Sequence, residues 1–403
     1  MRLLDAVLRR GEALEAALPG AARGLPANDR GLAHAIAAEA LRRLPDLDAL
    51  IDSATKQRLP DDAKARTALR IALVQVMRLG TPPHAAIATV LPLVDGGPRK
   101  LVHGVFGTLA RRGVTLPEVP TLPPEVVARW GAEVAEGAAH AIAAPPPLDL
   151  TLADPRETIS WAEQLGGVSL APGHVRIAGN ASVPSLPGFA EGAWWVQDLA
   201  ASIAARLLAG VGETVVDVCA APGGKCLQLA ALGKRVTALD VSATRLERLK
   251  QNLERTHLVA EVVTGDALYW QPGVQVDAVL LDAPCSATGI FRRHPDVLHR
   301  AHPRLIAEAA DLQRALLGRV ASWVKPGGTL VFATCSLERA EGEVQAEAFL
   351  ASQPGFVLEP ATTEELPVGI VPHERGWVRT WPGTLAEQGG CDGFFVARFR
   401  RAG

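Results

Sequence analysis

Residues 213–240 read ETVVDVCAAPGGKCLQLAALGKRVTALD. The run after Glu213 is β-branched and apolar, and reads as a buried strand over 214–219. Small residues then lead into helical spacing over 225–232, and a second strand follows at 235–239. This is one βα unit passing into the next. The alternation continues: helix 243–255, strands 261–263 and 276–281, helix 303–323, strand 329–334 and helix 341–350. Repeated βα units imply an α/β fold with a mostly parallel sheet and helices on both faces. The segments 376–381 and 393–400 are expected to close it as an antiparallel pair. Ligands of such sheets sit beyond the carboxyl ends of the strands.

Residues 1–112 have a different period. Apolar positions recur at three and four over 3–18, 32–44, 65–79, 85–94 and 101–109, which predicts a helical bundle. Asn28-Asp29 offers an N-cap for the second helix. A proline-bearing stretch, 114–124, marks a boundary, and a helix over 125–143 ends at three prolines. Beyond it lie a short strand at 148–152, a helix at 157–165, and a helix at 199–208 with Asp198 as its N-cap. The expected domains are therefore 1–112, a linker and α+β lead-in over 113–210, and the sheet-bearing domain over 211–403.

At 403 residues the chain has room for two or three cores. No apolar run approaches the ~18 residues that argue for a membrane span. Residues 1–20 read as an amphipathic helix rather than a signal peptide. Five cysteines, widely spaced, argue against a disulfide framework, and with no Cys-x-x-Cys pair a structural zinc site is not expected. The cytoplasm is the default compartment. The formal charge of −2 conceals an asymmetry: residues 1–112 hold 17 Lys+Arg and 11 Asp+Glu, so the remainder is acidic. This suggests a basic module beside an acidic one, although scatter over solvated faces gives the same count.

Chemistry-bearing residues fall at the strand ends. The loop Cys219, Ala220, Ala221, Pro222, Gly223, Gly224, Lys225 lets backbone approach a ligand at a helix N-terminus. It is neither G-x-G-x-x-G nor a Walker loop, which disfavours a phosphate site. Taken alone, the loop is equally a tight structural turn. Asp240 ends the next strand, 21 residues after Cys219, where a carboxylate suits ribose hydroxyls. Asp266 ends the third, placed to meet an adenine amino group, and Asp282 ends the fourth. Together they describe a nucleoside cofactor without a pyrophosphate, which S-adenosylmethionine fits. Two thiols, Cys285 and Cys335, follow the strands at 276–281 and 329–334, 50 residues apart. A parallel sheet brings both to one edge beside Asp282. Methylation of cytosine at C5 needs such a set: a thiolate adds to C6, C5 becomes nucleophilic, and a base later takes the C5 proton.

These segments, with Arg292-Arg293-His294-Pro295-Asp296, Thr334-Cys335-Ser336 and Asp392-Gly393-Phe394-Phe395, resemble the NOL1/NOP2/Sun class of RNA cytosine-5 methyltransferases. Residues 29–34 and 83–87 resemble the NusB-like domain of its Fmu/Sun branch, which modifies 16S ribosomal RNA. The likeness covers nearly the whole chain and is weakest over 113–190. It implies a Rossmann-like class I S-adenosylmethionine-dependent methyltransferase domain behind an all-α NusB-like domain. By motif, it implies Cys335 as the nucleophile on C6, Cys285 as the thiol that assists release, and Asp282 as the group orienting the base. The cofactor would be held by Cys219, Ala220, Ala221, Pro222, Gly223, Gly224, Lys225, Asp240, Arg245, Asp266 and Asp282.

The loop beginning at Phe291 carries Arg292, Arg293 and His294, which suits an RNA backbone around an extruded base. The expected partner is ribosomal RNA, with no membrane, and a monomer is expected. Other readings are a ribosome-assembly factor without turnover, a methyltransferase of tRNA, and one of small molecules. The last is disfavoured by the basic helical module.

Overall fold

The computed structural model describes residues 1–179 and 182–403. The chain divides into two compact units: Met1–Ala144 with Phe291–His302, and Pro145–Ile290 with Pro303–Gly403. This division differs from the boundaries expected at 112 and 210. The helices Pro124–Trp130 and Ala132–Ala143 bury Val126, Trp130, Ala138 and Ile142, so they add to the helical unit rather than link it.

The first unit begins with helices Arg2–Arg10, Leu14–Ala21, Ala27–Arg42, Leu44–Ser53, Lys64–Met77, Pro83–Val90 and Gly96–Arg112. Leu4, Leu41, Leu47, Ile51, Leu69, Val74, Val102 and Leu109 fill its core, each contributing about 1.5–3 kcal/mol by leaving water. The expected helix over 3–18 is split at Gly11, and that over 125–143 at Gly131. Asn28 and Asp29 do not cap: the helix starts at Ala27 behind Pro26, whose extended backbone already ends the preceding turn. Within residues 1–112, three of the arginines are interior. Arg70 meets both Asp48 oxygens at 2.7 Å, Arg66 pairs with Asp48 at 3.0 Å and with Asp52, and Arg43 donates to the Pro117 and Glu118 carbonyls at 2.7 and 3.1 Å. Part of the basic excess therefore stabilises the bundle rather than charging its surface.

Residues 291–302 belong to this unit although the chain reaches them from the sheet. Phe291, Val297 and Leu298 are buried, and Phe291 packs on Trp130 with ring centroids 5.7 Å apart. Asp296 accepts from the Leu14 amide at 3.2 Å. The Arg42 guanidinium donates to the Arg292 carbonyl at 3.2 Å, and His299 Nε2 bonds the Leu41 carbonyl at 2.7 Å.

The second unit opens with an antiparallel sheet, order β2-β1-β3, of β1 (Leu148–Leu152), β2 (His174–Ile177) and β3 (Trp194–Val196). Asp149 on β1 accepts from Arg176 at 2.6 and 2.8 Å and from the Leu199 amide at 3.0 Å. Asp198 caps the helix Leu199–Arg206 through the Ala200 amide at 2.9 Å.

The main sheet holds β4 (Thr214–Val218), β5 (Arg235–Asp240), β6 (Glu261–Thr264), β7 (Val276–Asp282), β8 (Val324–Thr334), β9 (Phe356–Leu358), β10 (Val378–Thr380) and β11 (Phe394–Arg401). Among the described residues its order is β10-β11-β8-β7-β4-β5-β6, with β9 also on β11. From β8 to β6 every pairing is parallel, while β11 runs antiparallel to β8 and β10. The expected βα alternation and closing pair are both present. β8 starts earlier than its β-branched run, because Val324 still pairs with Val276 across an irregularity. Helices Gly224–Ala231, Ala243–Thr256, Pro303–Ala321 and Glu343–Ser352 flank the sheet. No helix among the described residues is long and apolar enough to cross a membrane.

Candidate active site

β7 and β8 are parallel neighbours in which Asp282 pairs with Ala333. Both strands therefore stop at one level, and the loops that follow begin side by side. The Cys285 and Cys335 sulfurs lie 3.4 Å apart. Gly289 holds this arrangement: its amide donates to the Cys335 carbonyl at 2.9 Å, and its own carbonyl accepts from Gly393 at 2.9 Å. A Cβ at Gly289 would lie 1.9 Å from the Gly393 oxygen, so only glycine fits this backbone crossing. The hydrogen bond that the Cys285 thiol shares with Cys335, then burial, pushes that thiol well up. Cys285 therefore stays a thiol at neutral pH.

Lys225, at the start of its helix, reaches across to Asp282 with Nζ to Oδ2 at 2.7 Å. Burial opposes the charge on this lysine, but the Asp282 charge and hydrogen bond outweigh it and raise the lysine above its ordinary value. Nζ also stands 5.3 Å above the Phe394 ring. Asp217, on β4, is fully buried without a hydrogen-bond partner for either oxygen. Burial, then repulsion from Asp282, pushes it well above the usual carboxylate range, so it is neutral.

The loop between β4 and its helix is pinned by Asp240. One Asp240 oxygen accepts from the Ala221 amide at 3.1 Å and the other from Ser242 at 2.8 Å. Arg245 donates to the Ala221 carbonyl and lies 3.7 Å from Asp240. Cys219 takes a left-handed backbone, φ 62°, and Gly223 one of 115°. Burial pushes the Cys219 thiol up to about 12, so it is a packing residue that is not poised to react. Asp266 accepts from the Leu268 amide at 2.9 Å and stays half-buried. These features fit a nucleoside cofactor. Gly224 leaves 3.6 Å to the Gln197 side chain for any added carbon, and the Asp240 and Asp266 oxygens keep lone pairs beyond the bonds they make.

Cys285, Cys335, Asp282, Lys225 and the 219–225 loop thus gather at adjoining strand ends, with Asp240 and Asp266 on the next two strands. Arg292, Arg293 and His294 lie instead in the helical unit. Arg292 is 2% exposed, so as folded its guanidinium is not presented to a phosphate. Arg293 and His294 are half-buried, and burial lowers His294. Sequence reasoning missed Asp217, Glu341, Gln313 and Arg379. The repeated Cys-Ser of 285–286 and 335–336 was the signal for Glu341, whose carboxylate binds both serines.

A mostly parallel sheet with paired thiols and acids at its carboxyl edge, in a chain that also carries a helical bundle, defines the class: a Rossmann-like methyltransferase with a NusB-like domain. A family profile for the 16S rRNA methyltransferase RsmB/F matches residues 205–400, and one for the NusB family matches 1–109. A Salmonella arizonae protein named ribosomal RNA small subunit methyltransferase B is 34% identical, over 98% of this chain and 96% of its own. One of the same name from Xylella fastidiosa is 36% identical over 98% of each. A Shewanella oneidensis relative is 44% identical over 57% of this chain, an alignment spanning 52% of that relative. The crystal structure of PH0851 superposes with a TM-score of 0.74 at 25% identity, covering 99% of this chain and 98% of that one. A methyltransferase homolog protein from Pyrococcus horikoshii gives 0.56 at 27% identity, covering 73% and 98%. The chain belongs to the 16S rRNA methyltransferase RsmB/F family.

Proposed function

We propose that this chain methylates C5 of a cytosine in 16S ribosomal RNA, with S-adenosylmethionine as donor and a covalent adduct between Cys335 and C6 as intermediate. The observation that carries the reading is the 3.4 Å approach of Cys285 and Cys335 beside the Lys225–Asp282 pair. One thiol of the pair is held protonated while the other lies near a buried ammonium, so the two are chemically unequal. The relatives' names supply the RNA class and point to the small subunit.

Cys335, as thiolate, adds to C6, and the ring electrons shift to C5. Lys225 offsets the negative charge carried first by the thiolate. Asp282 holds the Lys225 ammonium and turns its remaining lone pairs toward the cytosine edge. Residues 219–225, Asp240, Arg245 and Asp266 hold the cofactor, which when bound supplies an electrophilic methyl group. Once C5 has taken the methyl group, a base accepts the C5 proton, the C5–C6 double bond re-forms as the C6–sulfur bond breaks, and the sulfur leaves as the Cys335 thiolate; Cys285, in contact with that sulfur, assists this release. Asp217, neutral and buried, supports the strand end without adding charge beside Asp282. The proposed compartment is the cytoplasm.

Bisulfite mapping of 16S RNA from cells with and without the gene tests the proposal. One cytosine that resists conversion only when the gene is present is the expected result. Identical maps from the two strains would refute it.

A further inference from the structure

Ser286 and Ser336 follow the two cysteines directly, and both hydroxyls donate to one oxygen of Glu341, Ser336 at 2.6 Å. The other oxygen accepts from the Ser286 amide at 2.8 Å and from Gln313 Nε2 at 3.3 Å. Gln313 also donates to the Pro284 carbonyl at 2.8 Å. Glu341 is completely buried. A carboxylate taken out of water costs several kcal/mol unless its oxygens are satisfied. Here burial raises its titration point, and four donors from three residues oppose that shift. Such a group is a costly way to join two loops that β7 and β8 already bring together, which argues for a demand that packing alone does not meet.

Resting on the methyltransferase reading above, we propose that Glu341 is the positioning residue of the two-thiol site: it clamps the loops after β7 and β8 through Ser286 and Ser336 and so sets the approach of Cys285 to Cys335. Arg379 braces the same loop. Its Nη1 donates to the Ser336 carbonyl at 2.5 Å, while Nε and Nη2 hold Glu343 at 3.0 and 2.6 Å. Glu341 touches the thiols only through the serines, so it acts on their geometry and takes no substrate atom. Its negative charge also favours the thiol form of Cys285.

The test uses the full-length protein with Glu341→Gln, Glu341→Ala and Ser336→Ala. Glutamine keeps an acceptor for the Ser286 amide, and its NH2 can donate to serine hydroxyls rotated to accept. Misplacing reacting groups by ~1 Å can cost about a hundredfold in rate. Loss of kcat on that scale is expected for Glu341→Ala, with partial rescue in Glu341→Gln and an unchanged KM for S-adenosylmethionine. Wild-type kcat in folded Glu341→Ala would overturn the clamp. Should Glu341→Ala fail to fold, wild-type kcat in both Glu341→Gln and Ser336→Ala overturns it equally. A second arm does not depend on methylation. Phenylarsine oxide, which bridges neighbouring thiols, should capture Cys285 and Cys335 in the wild type, as mapped by mass spectrometry, and lose that capture in Glu341→Ala. Inactive wild-type protein with this change in capture would refute the methyltransferase reading while the clamp stands. Unchanged capture would sink the clamp itself.

Discussion

Gly289→Ala is the most local change that the geometry makes decisive. The new Cβ would lie 1.9 Å from the Gly393 oxygen and 2.7 Å from its carbonyl carbon. Neither neighbour is a flexible side chain, so relief requires the backbone crossing to open by about 1 Å, since such contacts do not fall below van der Waals distance. Two hydrogen bonds stretch in that opening: Gly289 amide to Cys335 carbonyl and Gly393 amide to Gly289 carbonyl, both 2.9 Å. Overpacking of this kind costs about 1–3 kcal/mol. At roughly 2–4 °C per kcal/mol for a unit of this size, the melting transition should fall by ~2–12 °C. The effect on rate should be larger than the effect on stability. Cys335 is held by the bond that opens, and a shift of ~1 Å at a reacting atom can cost about a hundredfold. The assay is single-turnover methyl transfer to 16S RNA at a temperature well below the transition, beside a thermal melt. Wild-type rate with an unshifted melt would refute the claim that this crossing sets the nucleophile.

Other predictions follow from the same geometry. Cys335→Ala should give no methylated RNA and no adduct, whereas Cys285→Ala should leave RNA bound to protein on a denaturing gel; the opposite pattern would reverse the assignment. Asp48→Ala strips the buried Arg66 and Arg70 of their shared carboxylate and should destabilise the helical unit by about 3–5 kcal/mol, the usual cost of breaking a buried pair; a thermal melt within 1 °C of wild type, less than ~1 kcal/mol warrants, refutes it. Asp217 is protonated when folded and ionised when unfolded above the ordinary aspartate range, so its contribution to stability falls as pH rises from there toward its raised folded value. Asp217→Asn should therefore gain on the wild type with rising pH in denaturant titrations, and parallel pH profiles would show that the buried carboxyl is not neutral. Arg293→Ala should weaken RNA binding and lower the salt slope by ~1, whereas Arg292→Ala, at a buried position, should act on stability. Equal loss of affinity in the two would place both guanidinia on RNA.

The legible part of the site was the part written as contiguous segments. Strand ends are marked by their apolar runs, so Asp240, Asp266 and Asp282, and the thiols after β7 and β8, could be located by period alone. The less legible part needed partners far along the chain. Glu341 reads as a surface acid opening a helix until its carboxylate is seen on Ser286, 55 residues earlier. Arg292 reads as an exposed phosphate ligand until its burial in the fold is seen. The apparent basicity of residues 1–112 likewise treats Arg43, Arg66 and Arg70 as solvated charges, though each is buried on acids or carbonyls.

By itself, then, the sequence determined the alternating βα order, the helical character of residues 1–112, and the chemical groups at each strand end. These follow from hydrophobic period and residue type, which act locally. Only the tertiary structure decided that Met1–Ala144 takes in Phe291–His302, that Asp240 pins the loop 219–225, and that the two thiols meet at 3.4 Å. Those outcomes depend on parallel register, buried charge and backbone crossing between residues distant in the chain. No local pattern encodes them, because their energies arise only once water has been excluded from the assembled sheet edge.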